Sequence, residues 1–203
     1  AYIASLRPVA QDSPVDMSAI MAILQDKLDE DAILTNGAGN FALWPNKAFC
    51  FGPKQRLLAP QSGAMGYGLP AAIAAGVAHP GRQVVCFAGD GDIQMGIAEL
   101  GTAIQAGSKL IIIVLNNGSY GTIRMHQERD YPDRISGTNL YNPDFAAVAQ
   151  AYGMAGFTVA KTEAFEAAFN KAVTAENGGV IELDINVDAI TPRTTLTKLR
   201  SGG

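Results

Sequence analysis

The chain has 203 residues, 48% of them hydrophobic and 17% charged, with a formal net charge of −4; this is the composition of one globular domain with a real core, not of a disordered segment. The acidic balance and the lack of any Lys/Arg cluster exclude a nucleic-acid surface, because nothing is there to neutralise phosphates, and no apolar run reaches the roughly 18 residues of a membrane-spanning helix. Cys50 and Cys86 are too few for a disulfide framework, or for an iron–sulfur or zinc site on their own, and they point to a reducing compartment, the cytoplasm.

Residues 1–15 read as a linker, since Pro8, Gln11, Asp12, Ser13 and Pro14 break any periodicity. The chain opens inside it without an initiator Met. Residues 17–28 form an amphipathic pattern, with Met17, Ile20, Met21, Leu24 and Leu28 on one face and Asp16 as N-cap. A short strand at 32–34 runs into the glycine loop 36–40. Residues 63–70 lead into a small-residue helix at 71–76. A strand at 83–88 buries Cys86, and a helix over 93–106 ends at Gly107, a good C-terminal cap. Residues 110–115 are Ile, Val and Leu throughout, as in a strand covered on both faces of a parallel sheet. A helix at 144–152, a strand at 157–160, a helix at 163–175 and a strand at 180–185 follow. The polar tail, 189–203, reads as mobile and leaves 16–188 as the domain. The repeated alternation of strand and helix predicts an α/β fold: an open, mostly parallel sheet, doubly wound, with helices on both faces.

The sharpest signal is Gly89-Asp90-Gly91 followed by Asn116-Asn117, each directly after a buried strand and separated by one helix. A right-handed crossover makes the two strands parallel and puts both loops at their C-terminal ends, where open α/β sheets bind ligands. Asp90 and Asn117 then converge. A carboxylate, an amide oxygen and a nearby backbone carbonyl are the hard oxygen donors Mg²⁺ prefers. The flanking glycines let backbone N–H groups approach phosphate closely. Either half alone is an ordinary turn; together, at this spacing, they define a site.

These residues resemble the thiamine diphosphate-binding motif. The flanking text, Gln94-Met95-Gly96-Ile97-Ala98-Glu99-Leu100 and Asn117-Gly118-Ser119-Tyr120-Gly121-Thr122-Ile123-Arg124, is similar to the acetolactate synthase branch. The resemblance covers nearly all of 16–190, the C-terminal, diphosphate-binding third of such enzymes, and implies the thiamine diphosphate-binding fold. By that resemblance Asp90, Asn117 and the backbone oxygen of Ser119 ligate Mg²⁺. Gly89, Gly91, Asp92, Tyr120, Gly121 and Thr122 line the diphosphate, and the loop Ala38-Gly39-Asn40-Phe41 touches it. Two residues carry catalytic assignments. Met65 is the apolar wedge that bends the cofactor until its 4′-amino group meets the thiazolium carbon, and the carbonyl of Gly63 accepts a hydrogen bond from that amino group. Met65 also reads as plain core filler.

The resemblance places the activating glutamate on a separate pyrimidine-binding domain, for which this chain has no room. Glu99, expected in mid-helix, reads as structural. The chain is therefore expected to hold half a site, as a fragment or one subunit, and to be inactive alone. Its partner is the pyrimidine-binding domain of the parent enzyme or of a partner subunit, within a homo-oligomer. FAD, if the parent carries it, lies outside this domain. The implied activity is decarboxylation of a 2-oxo acid and carboligation, a transferase or lyase reaction. The alternatives are a separate subunit of a two-chain 2-oxo acid decarboxylase or oxidoreductase, whose electron-transfer members bring cysteine ligands not found here, and a truncated non-catalytic module. Where acetolactate synthases carry a substrate-shaping tryptophan this chain has His126, which puts the acceptor in doubt; His126 reads equally as an exposed helix residue. Arg124 reads as a carboxylate clamp or a surface charge, His79 as a loop residue, and Trp44 and Phe49 as core-edge or subunit-contact residues.

Overall fold

The structure, a computed structural model, describes residues 13–201; most of the expected linker thus lies outside the described residues. The first helix, α1 (Met17–Lys27), starts where the sequence places it: the Asp16 carboxylate accepts from the backbone N–H of Ser18 at 2.8 Å, and Met17, Ile20, Met21 and Leu24 are buried. It is followed by β1 (Ile33–Asn36), a short 3₁₀ turn at Asn40–Ala42, α2 (Leu43–Lys47), β2 (Arg56–Leu58), α3 (Gly68–Ala78), β3 (Val84–Gly89), α4 (Asp90–Ile93), α5 (Glu99–Gln105) and β4 (Leu110–Asn116). The remainder comprises α6 (Gly121–Asp130), α7 (Phe145–Ala151), β5 (Ala155–Val159), α8 (Phe165–Thr174), β6 (Gly178–Asp184) and α9 (Leu196–Arg200).

All six strands are parallel, in the order β2-β1-β3-β4-β6-β5. Alternate side chains of each strand feed two separate cores. Leu34, Val85, Phe87, Ile111, Ile113 and Ile181 pack under α1, Trp44 and α8. Ile33, Val84, Cys86, Ala88, Ile112 and Val114 pack under α3, α5 and α7. Both faces being covered explains why β3 and β4 read as unbroken apolar runs. The expected mostly parallel, doubly wound sheet is therefore wholly parallel.

Four elements differ from the sequence reading. The strand β2 was not foreseen: three residues set between Pro53 and Pro60 carry too little pattern, and only pairing with β1 defines them. Nor was α2, which contains Pro45 and caps the cavity described below with Trp44, 2% exposed. The helix expected over 93–106 is two. The turn α4 begins at Asp90 itself, the backbone tightens through Met95 and Gly96, and α5 starts at Glu99, which is half-buried at a helix start rather than in mid-helix. Finally, the tail expected to be mobile returns to the domain: Ile190 and Leu196 are buried and α9 packs on α6.

That return is made by charge. The Glu128 side chain, on α6, is fully buried and accepts from Arg200 of α9 in a two-point contact, Nε donating at 2.8 Å and Nη2 donating to the other oxygen. The Asp133 N–H adds a bond at 3.3 Å, and Arg124 lies 3.7 Å away. Arg200, above all, holds the Glu128 carboxyl down at about 2. Arg200 reaches solvent, and Arg124 remains beside the carboxylate when Arg200 is removed. Arg200→Met should therefore lower unfolding stability by about 1 kcal/mol in urea titration. The pH dependence has a definite sign. Glu128 ionises more readily folded than unfolded, so its stabilisation is complete above pH 4.5 and fades as pH falls toward about 2. Glu128→Gln should flatten the loss of stability across that acid window; an unchanged acid limb would show that the pair is not what docks the tail.

Candidate active-site cleft

The strand order reverses direction between β1 and β3: the chain leaves β1 toward β2 on one side, and β3 toward β4 on the other. At such a switch point the flanking loops diverge and open a crevice at the carboxyl edge of the sheet. A cavity of about 230 Å³ sits there. Every residue assigned from the sequence to the cofactor, the metal or catalysis lines it: Ala38 to Phe41 after β1, Gly63 and Met65 before α3, Gly89 to Asp92 after β3, and Asn117 with Ser119 to Thr122 after β4. Trp44, Leu115, Ile123, Ile185, Ala189 and Ile190 complete an apolar wall.

The close approach of these loops depends on glycine. A Cβ on Gly37 would fall 2.0 Å from an Asp92 carboxylate oxygen, and one on Gly68 would fall 2.7 Å from the Gly37 backbone nitrogen. A Cβ on Gly91 would meet the Tyr120 ring at 2.6 Å, so that ring packs directly against the Gly-Asp-Gly turn.

Two carboxylates sit in the floor, each 3% exposed. One oxygen of Asp90 accepts from the Gly91 N–H at 2.9 Å and the other from the Asn142 amide at 2.7 Å. Burial raises the Asp90 carboxyl above its ordinary range, against the Asn142 amide and the N–H groups of Gly91, Gly118 and Ser119. Asp92 has one oxygen between the N–H groups of Gly66, at 2.9 Å, and Ala38, at 3.2 Å. Burial pushes it up to about 6 despite those two bonds. Both carboxylates are thus short of positive charge.

The loop after β4 is shaped by its own side chains. The Asn117 oxygen accepts from the Ser119 N–H at 3.1 Å, and the Ser119 hydroxyl donates to the Thr138 carbonyl at 3.0 Å. Ser119 also bridges to Asn139, tying this loop to the strand-like segment beyond α6. Thr122, at the start of α6, donates to the Asn40 side-chain oxygen at 3.1 Å and accepts from the Asn40 N–H at 3.0 Å. Most of the segment 117–133 is the helix α6. Arg124 turns to Glu128 and His126 is exposed; neither lines the cavity. Trp44 is buried as expected of a core residue, yet it also forms part of the cavity wall.

Asn142 is the site residue sequence reading missed. Its amide donates at 2.7 Å both to Asp90 and to Asn116, and its oxygen accepts from Gln94 at 2.7 Å. Asn116 in turn donates to the buried Glu182 at 2.7 Å, whose other oxygen takes the Phe145 N–H at the start of α7. Asn142 stands 52 residues from Asp90, beside Pro143 and the helix cap Asp144, so its sequence context speaks only of a helix start.

Residues 37–185 match the family described as thiamine pyrophosphate enzyme, C-terminal TPP binding domain. The chain is 38% identical over 159 residues to an acetolactate synthase of Arthrospira platensis, covering 77% of this chain and 27% of that protein. It is 36% identical over 161 residues to the mitochondrial acetolactate synthase catalytic subunit of Saccharomyces cerevisiae, covering 79% of this chain and 23% of that one. The solved thiamine diphosphate-dependent 4-hydroxybenzoylformate decarboxylase of Rhodococcus jostii RHA1 superposes with a TM-score of 0.78 at 31% identity, over 88% of this chain and 34% of its own. The chain spans about a quarter of the length of the curated relatives it matches.

Gly37→Ala should collide with the bonded Asp92 carboxylate and destabilise the chain by about 1–3 kcal/mol. Gly52→Ala, whose new Cβ would have its nearest contact at 3.6 Å, should stay within about 0.5 kcal/mol of the parent. Equal melting shifts for the two would show that the loops are not packed to this tolerance.

Proposed function

This chain belongs to the thiamine pyrophosphate enzymes, as a C-terminal TPP-binding domain, and we propose that it is the cofactor-holding part of an acetolactate synthase-like enzyme that decarboxylates a 2-oxo acid and joins the remaining fragment to an acceptor. The observation that carries this reading is the convergence of four loops on one crevice at the switch point of the sheet, with Asp90 buried at its floor.

The donor set fits a hard cation. Asp90 is a buried carboxylate short of positive charge, and Asn117 and the Ser119 backbone add an amide and a carbonyl oxygen on the next loop. Among the described residues no group of three or more His, Cys, Asp or Glu is placed to hold a metal ion. Asp90, Asn117 and the Ser119 carbonyl would hold Mg²⁺, with the diphosphate completing its shell. The backbone N–H groups of the loops after β1 and β3, and of the start of α6, would take the remaining phosphate oxygens, since no Lys or Arg lines the cleft. Thiamine diphosphate supplies the electron sink that lets a 2-oxo acid lose carbon dioxide. The chain's part is to hold and orient it. Met65 forms the apolar seat, Gly63 offers its carbonyl to the aminopyrimidine, and the buried Ile185 and Ile190 keep water from the wall.

The cleft of about 230 Å³ is smaller than the roughly 300–1,000 Å³ of complete small-molecule sites, which supports half a site closed by another domain. Met95, Ile123 and Tyr131, each more than half exposed, offer apolar surface for that contact. We assign it to a pyrimidine-binding domain, in cis or from a neighbouring subunit of a homo-oligomer, which also brings the activating glutamate. The two unpaired cysteines favour a cytoplasmic setting.

Asp90→Ala should abolish Mg²⁺-dependent binding of thiamine diphosphate in calorimetry while far-UV circular dichroism stays unchanged; undiminished affinity would place the metal elsewhere. The pure 203-residue chain, given thiamine diphosphate, Mg²⁺ and pyruvate, should release no carbon dioxide above background, and steady turnover would refute the half-site reading.

A further inference from the structure

Asp92 ends the Gly-Asp-Gly-Asp run and stands at the edge of the diphosphate site proposed above. A second anionic oxygen facing a diphosphate would repel it. The bonded oxygen faces the loops instead. Asp92 Oδ1 accepts from the Ala38 N–H at 3.2 Å and from the Gly66 N–H at 2.9 Å. Ala38 opens the loop that runs over the cavity floor to Phe41, and Gly66 follows Met65 directly. One carboxylate oxygen thus binds together a loop after β1 and a loop before α3, and itself belongs to the turn after β3. The packing leaves no slack: Gly37 touches the carboxylate and Gly68 abuts the Gly37 backbone. Gly66 has φ +79° and its position for a Cβ lies 3.3 Å from the Met95 Cβ, so the Met65 turn is also pressed from the other side.

On the thiamine diphosphate reading above, we propose that Asp92 is a positioning residue that does not bind the diphosphate but sets the Met65 seat at a fixed height and register over the phosphate-holding loops. Its action is through two backbone N–H groups, so it needs an acceptor oxygen at Oδ1 and not a charge. The rings of the cofactor feel the tie, and the phosphates much less.

The test compares the 203-residue chain with Asp92→Ala and Asp92→Asn. Binding of inorganic diphosphate and of thiamine diphosphate, each with Mg²⁺, is read by calorimetry and by the emission of Trp44, the single tryptophan, which lies in the cavity wall. Asp92→Ala should weaken thiamine diphosphate about tenfold or more, as loss of a supporting hydrogen-bond partner does, but inorganic diphosphate by less than about threefold. Asp92→Asn, which keeps the acceptor, should restore thiamine diphosphate to within about threefold of the parent. Three outcomes overturn the role: unchanged affinity in Asp92→Ala, parallel loss for both ligands, or no recovery in Asp92→Asn. Ligand-free amide exchange tests the tie itself. Ala38 and Gly66 should exchange faster in Asp92→Ala and at near-parental rates in Asp92→Asn, and identical rates in all three chains would overturn it. A parent chain that binds neither ligand overturns the cofactor reading, and this role with it, while the exchange rates still judge the tie.

Discussion

The site depends on one topological constraint, the reversal of strand order between β1 and β3. Parallel strands joined by right-handed crossovers put every strand-to-helix loop on the same edge. Loops from neighbouring strands that wind the same way cover that edge; loops that wind apart leave it open. Because β1 and β3 send their chains in opposite directions, the loops carrying Ala38 and Asp90 face each other across a gap. The β4 loop with Asn117 closes its third side. No residue of this site is adjacent in sequence to those of another loop, yet the sheet leaves them nowhere else to meet.

A gap lined by backbone must then be held at a fixed width, and buried carboxylates do this. Asp90 and Asp92 lie two residues apart on one short turn and are raised by the same cause, burial, but serve different neighbours. Asp92 spends its bonded oxygen on the N–H groups of two other loops. Asp90 is oriented by Asn142, which also grips Asn116, which is anchored to Glu182. Chains of this kind fix a side chain's orientation before it binds anything, as the metal-holding role proposed for Asp90 would require. A buried acid that lacks a counter-charge also favours the arrival of a cation.

The α6 helix presents a different solution. It follows the Asn117 loop and carries cavity residues at its first turn, but it is polar, and among its residues only Glu128 is buried. With no apolar face to seat it, the helix is held at its far end by Arg200 and at its near end by the Asn40–Thr122 pair. The returning C-terminal segment contributes Ile190 to the cavity wall.

The sequence by itself determined every strand but β2, their apolar character, the cap at Asp16, and the convergence of the Asp90 and Asn117 loops; the family resemblance named the other residues that gather at the cleft. What the sequence determined is carried by short-range patterns: periodicity, capping chemistry and a glycine-flanked acid directly after a buried run. Only the tertiary structure decided the rest. The β2 strand exists because β1 offers it a ladder, and the helix foreseen over 93–106 breaks in the tight turn through Met95 and Gly96. Asn142 joins the site, Asp92 becomes a tie between loops, and Arg200 finds Glu128 72 residues away. Each of these is a contact between groups remote in the chain. A hydrogen bond or an ion pair of that kind leaves no mark on the residues beside it, and so the sequence named Asp92 without its partners and did not single out Asn142 or Arg200 at all.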